Sequence, residues 1–244
     1  MSMTSKNNII KDMNRVINDG ILDKTYYINP LPLSDKDKRV LEMKPKGVSI
    51  DYMNLLPEPP ANSSDVTRKE LEYLSKITSN LSQRQLDLIK MVDDDPNNLF
   101  MPVLKIHGLK FPKEKFDEYY KNTLDPVIMQ LKHKFLRPRP YDIAGKLGFN
   151  IKVTETQTHH TPAYPSGHTA YAAFSAAMLS TMYPDYTSDF YRIANLAGEA
   201  RMLQGVHYPS DNDASMVVAS AIFEDVKYDM FPDIKIGEDN ATTN

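Results

Sequence analysis

No cysteine occurs anywhere in the 244-residue chain. That removes disulfides, thiol nucleophiles and cysteine-ligated zinc in one step. Redox compartment stays open, because a protein without cysteine folds in either environment. A charge excess of one sign is missing too: 29 basic against 32 acidic residues leave a formal charge of -3. Nucleic acid therefore meets no global basic field, and a polyanionic ligand requires a local basic patch. Long apolar runs are also absent. The longest stretch without Lys, Arg, Asp or Glu, from Thr156 to Pro184, carries His159, His160, Ser166, His168 and three prolines. A membrane span needs about 20 mainly apolar residues, which this is not. The first residues, followed by Lys11, Asp12 and Arg15, show no apolar core or small-residue cleavage site of a secretory signal. These absences lead us to expect no nucleic-acid or membrane partner, and a cytoplasmic protein that stays where it is made.

What is present is an ordinary globular balance, 41% hydrophobic and 25% charged, able to bury a core. Glycine is scarce at 9 residues, while 17 prolines cluster between periodic segments. The periodicity predicts a short helix over residues 5–18, a loop at 29–32 and an extended break at 55–60. Thr67 with Glu70, and Ser82 with Gln85, each have capping-box spacing. Phe116, Tyr119, Tyr120, Leu124, Val127, Ile128 and Leu131 form a helical stripe, with a kink or break expected at Pro126. Further helices are read at 166–182, around 190–197 and around 214–222, while residues 151–156 are the one strand candidate. The fold class expected is all-α, a single-domain helical bundle. Its divisions are an N-terminal arm (1–54), a helical domain (55–230) and a polar tail (231–244).

Three motifs carry the chemistry. Lys132-His133-Lys134-Phe135-Leu136-Arg137-Pro138-Arg139-Pro140 reads either as a basic helix end stopped by prolines or as a device that turns Lys132 and Arg139 onto one anion. Pro165-Ser166-Gly167-His168 precedes an alanine-rich helix. Helix N-terminal amides bind anions, Gly167 lets a ligand approach the backbone, Ser166 adds a hydroxyl and His168 can move a proton. A specified tetrapeptide of this kind arises by chance in roughly one chain of this size per thousand. In the third motif, Arg201 through Asp211, the alternatives are a helix restart capped by Ser210, or a carboxylate holding one nitrogen of His207 so that the other is free to react.

In this order the three motifs fit Lys-x6-Arg-Pro, Pro-Ser-Gly-His and Arg-x5-His-x3-Asp. The chain thereby resembles the phosphatidic-acid-phosphatase type 2 superfamily, which includes vanadium haloperoxidases, and most of all its bacterial class A non-specific acid phosphatases. Ala200 stands where that pattern usually has serine. The resemblance implies the helical bundle of that superfamily. It also implies a metal-independent phosphomonoesterase with small soluble phosphate esters as substrates, no cofactor, and inhibition by vanadate. His207 would attack phosphorus to give a phosphohistidine, Asp211 would orient it, and His168 would protonate the leaving alcohol. Lys132, Arg139, Ser166, Gly167 and Arg201 would bind the phosphate. Alternatives are a vanadium-dependent haloperoxidase using the same residues, or a non-catalytic phosphate-binding protein. A homo-oligomer is also implied, with the arm a contributor. Outside the motifs, His159 and His160 are read as solvent-exposed loop residues, His107 and His133 as structural, and Lys134 and Arg137 as a solvated basic face.

Overall fold

A computed structural model describes residues 11, 15–28, 33–156 and 158–233. Within them the chain is helical, with no strand among the described residues. A first helix, α1, covers residues 15–23, so the helix expected over 5–18 runs five residues further, and its start lies largely outside the described residues. The loop expected at 29–32 and the tail after 233 also lie outside them. Then come α2 (Asp35–Glu42), α3 (Asp65–Ile77), α4 (Gln83–Asp94), α5 (Met101–Ile106), α6 (Lys113–Tyr119), α7 (Asp125–Phe135) and α8 (Pro140–Ile143). Three long helices complete the bundle: α9 (Gly167–Met182), α10 (Thr187–Leu203) and α11 (Pro209–Met230).

The centre is α9, which packs most extensively against α10 and α11. Its sequence explains the position. Ten of its side chains are buried, among them Ala170, Ala172, Ala173, Ala176 and Ala177, and a helix apolar on all sides belongs in a core. Alanine permits close helix approach, while Phe174 fills the remaining space against Phe116 and Phe223.

Local chemistry sets the breaks. Pro126 has no N–H to give the Asn122 carbonyl, which accepts instead from Lys46 N at 2.8 Å. A π-helical turn over Tyr120–Leu124 precedes α7, and Pro126 falls in the first turn of that helix. The break anticipated at this proline is therefore real. Ser82 and Gln85 form their capping box. Thr67 does not start α3: Ser64 caps it, accepting from Thr67 N at 3.2 Å. This frees Glu70 from capping, and it turns into the interior. Residues 151–156 run without a ladder, because their amides bond helix ends instead: Lys152 N to Thr78 Oγ1 and Thr154 N to Gln204 O. The arm lies against the bundle. Asn62 Nδ2 donates to the Leu22 and Thr25 carbonyls, and Tyr27 N donates to Leu136 O at 2.7 Å.

Candidate active site

The three motifs, up to 79 residues apart in sequence, converge where α7, α9 and α10 meet the start of α11. Lys132 projects from the last turn of α7. Leu136 then adopts φ 48°, in the left-handed region, which ends the helix and swings Arg137 to Arg139 into an extended run. Asp142 accepts Arg139 N at 2.9 Å and fixes the entry to α8. Ser166 caps α9, so Gly167 and His168 occupy its first turn. Past α10, Gly205 turns at φ 83°, with Ile151 and Lys152 packed where a side chain would go. That turn delivers His207. The helix that follows is capped at Tyr208, whose amide donates to Asp211, not at Ser210.

A cavity of about 380 Å³ has Lys132, Arg139, Gly167, His168 and His207 in its wall, together with Asp93, Tyr120 and Tyr171. Arg201, Asp211 and Ser166 do not line it. The Ser166 hydroxyl is within 2.9 Å of Thr169 Oγ1, which itself donates to Asn212.

His207 is held at both ring nitrogens. Nδ1 lies 3.0 Å from Asp211 Oδ2, and Nε2 lies 2.8 Å from Arg139 Nη1. A guanidinium has only donors, so Nε2 must be the acceptor and Nδ1 carries the proton, a tautomer assigned from the partners. Nε2 thus keeps a lone pair, taken here by Arg139, and the ring lines the cavity. Burial, then the charges of Arg139, Lys132 and Arg201, hold the ring well below the usual histidine range. Burial and Arg201 do the same to His168, which lies 3.5 Å from Thr158 Oγ1.

Three buried cations face this ring. Lys132 donates to the Pro162 carbonyl, Arg139 to the carbonyls of Thr161 and Val206, and Arg201 to Asp93 Oδ1 at 2.8 Å. Burial and Arg139 push Lys132 well below a normal lysine, and burial with Arg139 brings even Arg201 down to about 10. Arg201 Nε and Nη2 are buried with no hydrogen-bond partner among the described residues. Unpaired buried donors beside like charges are costly.

Sequence reasoning missed three supports. Arg137, expected to be solvated, is only 2% exposed and donates to Asp211 Oδ1 at 2.7 Å, Ser210 Oγ and Glu70. The signal was available: alternate residues of an extended run share a face, so Arg137 and Arg139 point the same way. Glu70 and Asp93 had no local signal. Burial opposes ionisation of Asp93, but hydrogen bonds from Thr158, Thr156 and Arg201 outweigh it and keep its carboxyl low. His159 is a further correction. It is buried, with Nδ1 3.2 Å from Tyr141 Oη, while His160 is exposed as expected. His107 packs at a tilt against Tyr186, and His133 bonds within its own helix. Lys134 is exposed, its ammonium on the Met53 carbonyl.

Comparison with known proteins adds four findings. Residues 122–229 match the description of the PAP2 superfamily. The chain is similar to a non-specific acid phosphatase of Salmonella typhimurium, 27% identical over 187 residues, covering 72% of this chain and 73% of that one. It is also similar to one from Providencia stuartii, 35% identical over 96 residues, where the match spans 39% of this chain and only 38% of the relative. Among solved structures, a bacterial vanadium-dependent iodoperoxidase superposes with a TM-score of 0.61 at 16% identity, over 84% of this chain and 60% of that one. At that identity the likeness concerns the fold alone.

Proposed function

The chain carries a PAP2 superfamily domain over residues 122–229, and on that premise we propose that the protein is a metal-independent acid phosphatase that hydrolyses phosphate monoesters through a phosphohistidine. One observation carries the reading: His207, whose Nε2 is an unprotonated acceptor from Arg139, lines a cavity together with Lys132 and Arg139, and the buried charge of Arg201 acts on the same ring from behind that wall. Phosphoryl transfer asks mainly for positioning and for charge to offset three equatorial oxygens. Lys132, Arg139 and Arg201 supply the charge, and the amides at the start of α9 supply donors.

As the ester binds, Arg139 Nη1 leaves Nε2 for a phosphate oxygen, which exposes the nucleophile. Nε2 then attacks phosphorus in line as the ester bond breaks. Asp211 keeps the Nδ1 proton in place and stabilises the charge that develops on the ring. A monoanionic ester offsets the cations that depress His168 and passes it a proton, which His168 gives to the departing alkoxide. Water, deprotonated by the now neutral His168, hydrolyses the phosphohistidine. The depressed titration of His207 serves this cycle because the nucleophile keeps its lone pair in acid.

Nitrophenyl phosphate hydrolysis tests the proposal. We expect turnover that EDTA leaves intact and that orthovanadate inhibits competitively. Loss of activity in EDTA with recovery on adding magnesium or zinc would overturn it. A halide-oxidation assay with vanadate and peroxide, run in parallel, tests the haloperoxidase reading that the resemblance also allows.

A further inference from the structure

We infer that Arg137 and Glu70 are positioning residues that extend the His207–Asp211 pair into a buried four-residue chain and set the charge balance under which His207 works; the inference rests on the phosphohistidine reading above. The carboxylate of Asp211 is divided between two tasks. Oδ2 takes His207 Nδ1 at 3.0 Å and Tyr208 N at 2.9 Å, while Oδ1 takes Arg137 Nη1 at 2.7 Å. Arg137 in turn reaches Glu70 Oε2 at 3.1 Å, and Glu70 Oε1 accepts Ser210 N at 2.7 Å. All four side chains are buried, with Asp211 fully so.

Packing stiffens the arrangement. The Arg137 guanidinium lies 3.8 Å from the centre of the Tyr208 ring. It therefore cannot swing away, and Oδ1 is not free to rotate into the place of Oδ2. Arg137 is the fixed stop that aims the other oxygen at His207. It also tempers the carboxylate: an unopposed buried Asp211 would pull the ring proton harder and favour the cationic, non-nucleophilic ring. Glu70 balances Arg137 from the far side, so the pair adds direction without adding net charge. Other groups facing these four are Lys132, Arg139, Arg201 and His168 around His207, Tyr164 near Asp211, and Tyr208 beside Arg137. None of them is changed in the test below.

Opposite charge effects give the chain a signature that plain structural support lacks. Arg137→Met leaves Asp211 unopposed, so His207 should titrate at higher pH, and the acid limb of kcat/KM should move up with it. Glu70→Gln keeps an acceptor for Ser210 N but leaves Arg137 unbalanced, so both should move down. In Arg137→Met, kcat for nitrophenyl phosphate should fall by about tenfold or more with little change in KM, by analogy with the scale seen when the outer partner of a metal-bound histidine is lost. Arg137→Lys should recover part of that loss. NMR titration of the His207 ring reads the same shifts without turnover, so it decides the inference even if the chain proves not to be a phosphatase. Should Arg137→Met unfold, Glu70→Leu combined with Arg137→Met removes both charges together, a change buried pairs often tolerate; because Arg137 bonds Asp211 directly while Glu70 lies beyond it, the nearer charge dominates and the ring should still titrate higher. Shifts of the same sign in the two single variants, or an unshifted ring in the folded double variant, would overturn the inference. So would an Arg137→Lys protein no better than Arg137→Met.

Discussion

Replacing Lys132 by methionine should make the protein more stable and nearly inactive. Lys132 is 4% exposed and its ammonium donates to the Pro162 carbonyl. Arg139 and Arg201 face it as like charges. The sign follows from linkage. A lysine that titrates lower in the folded protein than in the unfolded chain disfavours folding throughout the neutral range, and that penalty fades only as pH rises toward about 10.4. Methionine matches the buried stem and carries no charge. Relief of a functional strain of this kind commonly gives about 0.5–2 kcal/mol, which for a chain of this length is a rise of roughly 1–8 °C in Tm. Activity should go the other way, since loss of one donor to the transition state lowers kcat by about 10²–10³-fold. Thermal melts with and without phosphate separate the two effects. At a hundred times its Kd, phosphate should stabilise the original protein by about 2.7 kcal/mol, and the variant much less at the same concentration. A lower Tm combined with undiminished stabilisation by phosphate would refute the reasoning, because the three cations would then not form an anion site.

Other perturbations probe neighbouring parts of the argument. His207 and His168 titrate lower folded than unfolded, so their contribution to stability is complete above the unfolded value of about 6.5 and is lost as pH falls below it. Tm should therefore drop between pH 7 and pH 5, and His168→Gln should flatten that slope; an unchanged slope would refute the assignment. His207→Ala should abolish phosphoenzyme formation with every ester, whereas His168→Ala should still form some from nitrophenyl phosphate and then accumulate it for want of a base. Rapid quench would show the roles reversed if only His207→Ala trapped phosphate. Gly205→Ala would place a methyl 2.8 Å from Ile151 Cγ2 and 2.9 Å from the Lys152 carbonyl at φ 83°. The left-handed backbone alone costs about 1–2 kcal/mol, so Tm should fall by several degrees, and a melt identical to the original would contradict the crowding described.

Much of the fold was legible because it rests on short-range chemistry. Alanine with little β-branching announced α9, Pro126 announced the break before α7, and the spacing of Ser82 and Gln85 announced a cap. Motif spacing likewise singled out the histidines, Asp211, Lys132, Arg139 and Arg201. Local reasoning failed where the choice lay between two nearby alternatives of similar local merit. Ser64 and Thr67 both suit an N-cap, and residues 151–156 would suit a strand if a partner strand existed. The decision fell to contacts from distant segments, the amide of Lys152 finding Thr78 Oγ1 and that of Thr154 finding the end of α10.

The sequence by itself pointed to a helical chain, because alanine content, proline placement and caps act locally, and its motif spacings singled out a histidine, a carboxylate and three cations. It could not say which charges would be buried. Arg137 and Lys134 occupy one short basic run, yet Arg137 is sealed against Asp211, Glu70 and Tyr208 while Lys134 remains at the surface. Only the tertiary structure decided that, by bringing Glu70 from 67 residues away and Asp93 from 108 residues before Arg201. A buried charge is tolerable only where a partner waits for it, and the partners here come from elements that are neighbours in space alone.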